Sequence, residues 1–407
     1  MEIKERFLNY VNFDTQSDSY SHTVPSTLKQ LKLGNYLVEE LKSLGIENAK
    51  IDEFGVVYGT IPSNNNHQGD VIGFIAHMDT SPDASGKDIH PQIIKNYQGQ
   101  KITLNEDKEL YLDPEQYPQL LHLIHHDLIT TDGTTLLGAD DKAGIAIIMQ
   151  MVEYIYNHPE FKHNDIQIAF TPDEEVGGGT DHFNVEKFGA QFAYTLDGDT
   201  EGEIQYENFN ACKADFEITG FAVHPGSSKD TMINACLVAA EINNMLPGLE
   251  IPRETEDYEG FYHLTGMSGD VAKAKLHYIV RDHDKNLFEA RKETLRHIEK
   301  NLNEKWGEGT VKLMITDQYQ NMAEIIAGCM HLIENAKKAC ENAGVAPLVL
   351  PIRGGTDGCQ LSFMGLPCPN LGTGGHAFHG PYEHITAEGM DKAVDIVVEL
   401  VKLYAEM

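Results

Sequence analysis

Acidic and imidazole side chains gather at the ends of apolar runs in this chain. The run VIGFIA at 71–76 closes on His77, Met78 and Asp79; IQIAF at 166–170 closes on Thr171, Pro172, Asp173, Glu174 and Glu175; FAYTL at 192–196 closes on Asp197. Asp140 and Asp141 stand before a helical pattern that starts near Lys142, and His379 lies in the Gly-rich stretch LGTGGHAFHG. In an open α/β sheet, ligands bind outside the carboxyl ends of the strands. Hard carboxylates mixed with imidazoles at such ends suit a divalent zinc ion, or manganese or cobalt in its place.

Each piece also has an ordinary reading. His77 and Asp79 are two apart, so on a strand they share a face, and the carboxylate can hold the imidazole in the tautomer a metal needs. The same pair could be a capping histidine and a solvated aspartate. Glu174 and Glu175 cannot both point the same way from extended chain, so one could bind metal while the other takes a proton from an activated water. DEE is equally an acidic turn entering a helix N-terminus. Asp140 and Asp141 could be plain helix caps, unless two metals are present and one carboxylate bridges them. Gly372, Gly374 and Ala377 imitate a dinucleotide fingerprint, but too few residues follow to complete that unit.

These side chains need a sheet to hold them. Residues 1 to about 210 alternate short apolar runs with helical patterns, which predicts an α/β domain with a mostly parallel sheet covered by helices on both faces. The next stretch reads strand (213–223), helix (230–246), two strands (260–267 and 272–281), charged helix (285–304) and strand (310–318). That β-α-β-β-α-β order is the split ferredoxin-like unit. The α/β pattern returns after about 320, so a discontinuous first domain is expected over 1–211 and 320–407, with 212–319 inserted. The polar stretch from Asn64 to Asn66 reads as a turn between strands.

Composition narrows the function. The 407 residues carry 31 basic and 63 acidic side chains, a net charge of −32. Phosphate backbones and anionic lipid surfaces would repel such a chain, which argues against nucleic-acid and membrane partners. The N-terminal MEIKERFLNYVNFD has no apolar core of signal-peptide length, and a cytoplasmic location is expected. The six cysteines form no C-x-x-C pair and read as reduced core thiols.

Taken in order, AHMDTSP, TTDGTTLLGADDKAG, FTPDEEVG, TLDGD, YENFNA, VHPG, IVRD, IRGGTDG and GTGGHAFHG resemble the di-zinc metallopeptidase family of aminoacylases and carboxypeptidases. TLDGD, YENFNA and GGHAFHG point to its tripeptide-aminopeptidase branch. The resemblance implies a di-zinc exopeptidase-like catalytic domain with an inserted lid or dimerisation-type domain, and two Zn2+ per subunit. His77, Asp140 and Asp197 would hold one ion and Asp140, Glu175 and His379 the other, with a cis peptide bond after the bridging Asp140. Glu174 would be the general base, and Asp79 would orient His77. His224, Arg281 and Arg353 would surround a small peptide whose N-terminal bond is hydrolysed by a zinc-activated water. A homodimer is compatible with this reading. The rivals are a carboxypeptidase or N-acyl amino acid deacylase of the same family, and a catalytically silent metal- or peptide-binding protein. Asp199 and Thr200 follow Gly198 where related sequences tend to be Gly-rich, which bears on local substrate contacts.

Overall fold

The computed structural model describes residues 1–65 and 69–407. Of the expected turn, Asn64 and Asn65 lie in irregular chain after the Val57–Ile61 strand, and Asn66 falls outside the described residues. The chain divides into two compact units: residues 1–206, 324–350 and 356–407 form the first, and residues 207–323 with 351–355 form the second.

The first unit is built on an eight-stranded sheet. In spatial order its strands are Lys50–Ile51, Val57–Ile61, Ile166–Thr171, Ile72–His77, Phe192–Gly198, Asn370–Gly372, Glu203–Gln205 and Leu348–Val349. The four strands from Ile166–Thr171 to Asn370–Gly372 run parallel. Val57–Ile61 pairs antiparallel with both its neighbours, and Glu203–Gln205 is antiparallel to Asn370–Gly372, so the sheet is mixed. Parallel neighbours need a long crossover, usually a helix; the centre of the sheet has them, and so does its far edge, where Glu203–Gln205 pairs parallel with Leu348–Val349. At one edge, Lys50–Ile51 and Val57–Ile61 are joined by residues 52–56 alone, a hairpin length.

Alternation along the central strand separates two layers. Ile75 packs with Phe188 and Leu361, from helices Val185–Phe188 and Asp357–Phe363, and a Cβ at Gly73 would overlap the Phe188 ring. Phe74 stacks with Tyr194 on the opposite face, and the Tyr194 hydroxyl bonds Tyr404 of helix Ala387–Glu406 at 2.9 Å. Both faces are therefore covered, and the three longest parallel strands end at His77, Thr171 and Gly198.

Helix Ala139–Asn157 packs on two of those strands. Its first turn is irregular: Asp140 and Asp141 are non-helical and the bond between them is cis, as the resemblance implies. A Cβ at Gly144 would overlap the Leu196 carbonyl oxygen and the Asp141 carboxylate. Gly→Ala inside a helix ordinarily gains about 1 kcal/mol. Here Gly144→Ala is expected to lose about 1–3 kcal/mol through overpacking. Thermal unfolding of the metal-free variant checks this, and an unchanged or raised Tm would refute it.

Two small sheets, built from short strands that the sequence pattern does not mark, complete the unit. Gly375–His376, His384–Thr386, Leu128–Thr130 and Gln92–Ile94 form one, and Ile102–Asn105 pairs with Leu110–Leu112 in the other. The antiparallel pairing of Gly375–His376 with His384–Thr386 makes 377–383 a closed loop, and His379 sits on it at φ 65°.

The second unit has the β-α-β-β-α-β order: Asn210–Thr219, Ala235–Met245, Phe261–Gly269, Lys273–Asp282, Lys285–Trp306 and Val311–Tyr319. Its sheet is antiparallel throughout, with the second, third, first and fourth strands side by side. Cys212, Ala214, Phe216 and Ile218 turn inward onto the helices at Val238, Ile242, Leu295 and Ile298. The first helix starts at Ala235, not 230, because the Asn234 side chain accepts the N–H groups of Cys236 and Leu237. The unit extends beyond 212–319 through its hydrogen bonds. Asn208 Nδ2 donates to the Gln320 carbonyl at 2.9 Å, its Oδ1 accepts the Met322 N–H at 2.8 Å, and Ile352 N–H reaches the Glu207 carbonyl at 2.8 Å.

Candidate active site

The strand ends of the first unit converge on two histidines. His77 is buried, and its Nε2 faces Asp140 Oδ1 at 2.8 Å and Asp197 Oδ1 at 3.5 Å. His379 Nε2 faces Glu175 Oε2 at 3.0 Å and the second oxygen of Asp140 at 3.2 Å. One carboxylate, Asp140, thus reaches both imidazoles. Donor atoms around a tetrahedral ion with bonds of about 2.0–2.1 Å are themselves about 3.3 Å apart, close to these spacings.

Backbone and side chains fix the parts. His77 Nδ1 donates to the main-chain carbonyl of Asp79 at 3.1 Å, with the Asp79 carboxylate at 3.4 Å. That carboxylate accepts the N–H groups of Glu174 at 3.0 Å and Glu175 at 3.2 Å. Asp79 therefore holds the histidine mainly through its backbone and the DEE turn through its side chain. The turn itself differs from the expected extended chain: Glu174–Val176 is a single 3-10 turn entered through Asp173 at φ 60°. Asp141 also comes near His77 and Asp197. Its oxygens, however, are taken by the His77 and Gly144 N–H groups, each at 3.1 Å, which leaves Asp140 as the carboxylate open to both histidines.

Crowded like charges show in the acid–base balance. Burial raises the Glu174 carboxyl well above its ordinary range, with Asp197 adding to it. Burial, then Asp140, pushes Glu175 up to about 7, and burial also raises Asp197. Burial alone would lower His77, but hydrogen bonds to Asp140, Asp197 and Asp79 raise it well above 6.5. Asp140 and Glu175 push His379 up to about 11. So many buried acids need positive charge among them, and Glu175 Oε1 is buried with no hydrogen-bond partner among the described residues. The donor set fits divalent cations, which bind carboxylate and imidazole together.

The family model for "Peptidase family M20/M25/M40" matches residues 131–403. The chain belongs to this M20 peptidase family. This M20 chain is 53% identical over 404 residues to Peptidase T of Halothermothrix orenii, with 99% of each chain covered. Its fold matches the crystal structure of aminopeptidase PepT from Bacillus cereus with a TM-score of 0.79 at 23% identity, over 99% of this chain and 98% of that one. A tripeptidase from Staphylococcus aureus gives the same TM-score at 20% identity, over 100% and 98%. The M20 chain is thus a metal-dependent peptidase with the α/β fold of that family.

The other expected site residues of the M20 chain lie in the second unit. His224 is exposed, and its Nδ1 accepts the Gly226 N–H at 3.1 Å. Arg281 is buried and donates to the carbonyls of Cys212 and Val280 and to Gln318. Arg353 donates to the carbonyls of Asp257, Glu259 and Thr255 and lies over Phe209. Both guanidinium groups are engaged inside their own unit, by carbonyl, amide and hydroxyl oxygens.

Two further carboxylates of the M20 chain's first unit, Asp83 and Glu383, stand at the site without a motif in the sequence to mark them. Asp83 meets His379 Nδ1 at 3.2 Å, on the ring edge away from Asp140. Glu383 is buried and accepts three N–H groups from the loop before Asp140. The only hint in the sequence is proximity, to AHMD for Asp83 and to His379 for Glu383. All six cysteines are free, and no helix among the described residues is long and apolar enough to cross a membrane.

Proposed function

We propose that this M20 peptidase is a cytoplasmic aminopeptidase that removes the N-terminal residue of tripeptides with two Zn2+ per subunit. His77, Asp140 and Asp197 would hold one ion, and Asp140, Glu175 and His379 the other. The observation that carries the reading is Asp140, whose two oxygens face one histidine each. Tripeptides are chosen because the Staphylococcus aureus neighbour is a tripeptidase and the Halothermothrix orenii relative is a Peptidase T.

Bound ions would supply an acidified water and polarise the scissile carbonyl. Glu174, which burial and Asp197 make a stronger base than an exposed carboxylate, would accept a proton from the attacking water and return it to the leaving amine. Asp79 would set Glu174 and Glu175 relative to His77 by holding their N–H groups. His224 would donate to the developing oxyanion; with Nδ1 accepting from Gly226, its neutral ring carries the proton on Nε2. Arg281 and Arg353 would brace the backbone of the second unit through the carbonyls they are bonded to. The second unit would serve as a lid or dimerisation module, and a homodimer fits that role.

An asymmetric peptide separates the rivals. Leu-Gly-Gly with Zn2+ should yield leucine and Gly-Gly, while N-acetyl-Leu-Gly-Gly should stay intact. Release of glycine would indicate a carboxypeptidase, hydrolysis of acetylornithine a deacylase, and no product from any peptide a silent binding protein.

A further inference from the structure

We propose that Glu383 is a positioning residue that fixes the bridging Asp140 against His379, although it binds no ion itself. The inference rests on the two-ion reading above. Glu383 Oε2 accepts the N–H groups of Leu137 at 2.6 Å and Gly138 at 2.9 Å, and Oε1 accepts that of Asp140 at 3.1 Å. The three donors converge because Gly138 adopts φ 80°, a left-handed conformation that glycine enters without strain.

Glu383 is anchored on the other side as well. Its N–H bonds the Gly380 carbonyl at 3.2 Å, and its own carbonyl accepts the Thr130 hydroxyl at 3.2 Å. Thr131 holds Pro381 in the same way at 3.2 Å. A closed circuit results: His379, the turn 380–383, the Glu383 carboxylate, the Asp140 N–H, and the Asp140 carboxylate facing His379 at 3.2 Å. The circuit leaves the Asp140 main chain little freedom to move away from His379.

Its chemistry calls for a carboxylate. Two acceptor oxygens serve three N–H groups. Glutamine keeps the shape but offers one acceptor oxygen and turns an NH2 toward backbone donors, so at least one N–H loses its partner. The buried ammonium of Lys142, which donates to the Phe13 carbonyl at 2.7 Å, supplies a nearby positive charge that interacts with Glu383.

The test is zinc affinity of full-length Glu383→Gln and Glu383→Asp, measured by chelator competition, with Co2+ absorption spectra and the metal-free Tm alongside. Loss of a partner one step behind a metal ligand typically costs 10–100-fold in affinity. We expect that loss for at least one of two ions in Glu383→Gln, a shifted Co2+ band, and an intermediate affinity for Glu383→Asp. Wild-type affinity and an unchanged Co2+ spectrum in Glu383→Gln, even with a lower Tm, would reduce Glu383 to a fold residue and overturn the proposal. Should Glu383→Gln fail to fold, Glu383→Asp carries the same comparison. Amide exchange of the metal-free wild type adds a check that needs no variant: the 137, 138 and 140 amides should exchange slowly, and exchange as fast as in the exposed turn at Thr134 would overturn the circuit. A wild type that binds fewer than two ions removes the underlying reading and this inference with it. Two ions held equally well by wild type and Glu383→Gln remove only the role of Glu383.

Discussion

Glu174→Gln is expected to cut kcat by a factor of at least about 10² while zinc content stays near that of the wild type. The substitution is nearly isosteric and leaves the Glu174 N–H free to keep its bond to Asp79. The neighbouring Glu175, which faces His379, is untouched, so the proposed metal donors keep their places. What disappears is a carboxyl that burial and Asp197 make a stronger base than an exposed one. Since the lost interaction forms in the transition state, KM should move far less than kcat. Parallel metal analysis and steady-state kinetics on Leu-Gly-Gly give the answer. Retention of more than about a tenth of the activity would place the base elsewhere.

Asp140→Ala should do the opposite and strip the metal. One carboxylate lies between both histidines, so its removal would take a donor from each of the two proposed sites at once. We expect zinc per chain to fall toward zero at concentrations that saturate the wild type, and kcat/KM to fall by on the order of 10³ or more, since several kcal/mol of charge stabilisation go with the ions. Asp141→Ala is the control, because Asp141 lies within reach of His77 and Asp197 yet spends its oxygens on backbone N–H groups. If Asp141→Ala lost both ions and Asp140→Ala kept them, the bridge would be one residue further along.

Much of this site can be read from the chain because its residues follow apolar runs that are long and continuous enough to identify as strands. Ile72–His77, Ile166–Thr171 and Phe192–Gly198 each have six or seven residues and end beside the acids and imidazoles they position. The β-α-β-β-α-β unit is legible for the same reason, with strands of nine or ten residues. The small sheet that carries His379 is not, since its strands are two or three residues long and show no usable periodicity. Glu383 and Asp83 stay hidden for another reason. Glu383 bonds the Asp140 N–H across 243 positions, and Asp83 meets His379 across 296, distances at which local pattern carries no signal. The arginines show a further limit: a sequence cannot reveal that Arg281 and Arg353 are already occupied by carbonyl oxygens of their own unit.

The short segment 351–355 decides how the second unit can be handled as a piece of protein. Ile352 accepts from His283 Nε2 at 3.0 Å, and Arg353 gathers the carbonyls of the 255–259 loop, so these few residues are structural members of a unit whose other residues end at Ala323. A gene fragment encoding 207–323 alone would therefore yield an incomplete fold, with the 255–259 loop lacking its arginine. Supplying 351–355 through a designed linker should restore it. By the same logic, grafting the unit between homologues requires transplanting two separated stretches together, and a swap of the longer one alone would join mismatched halves.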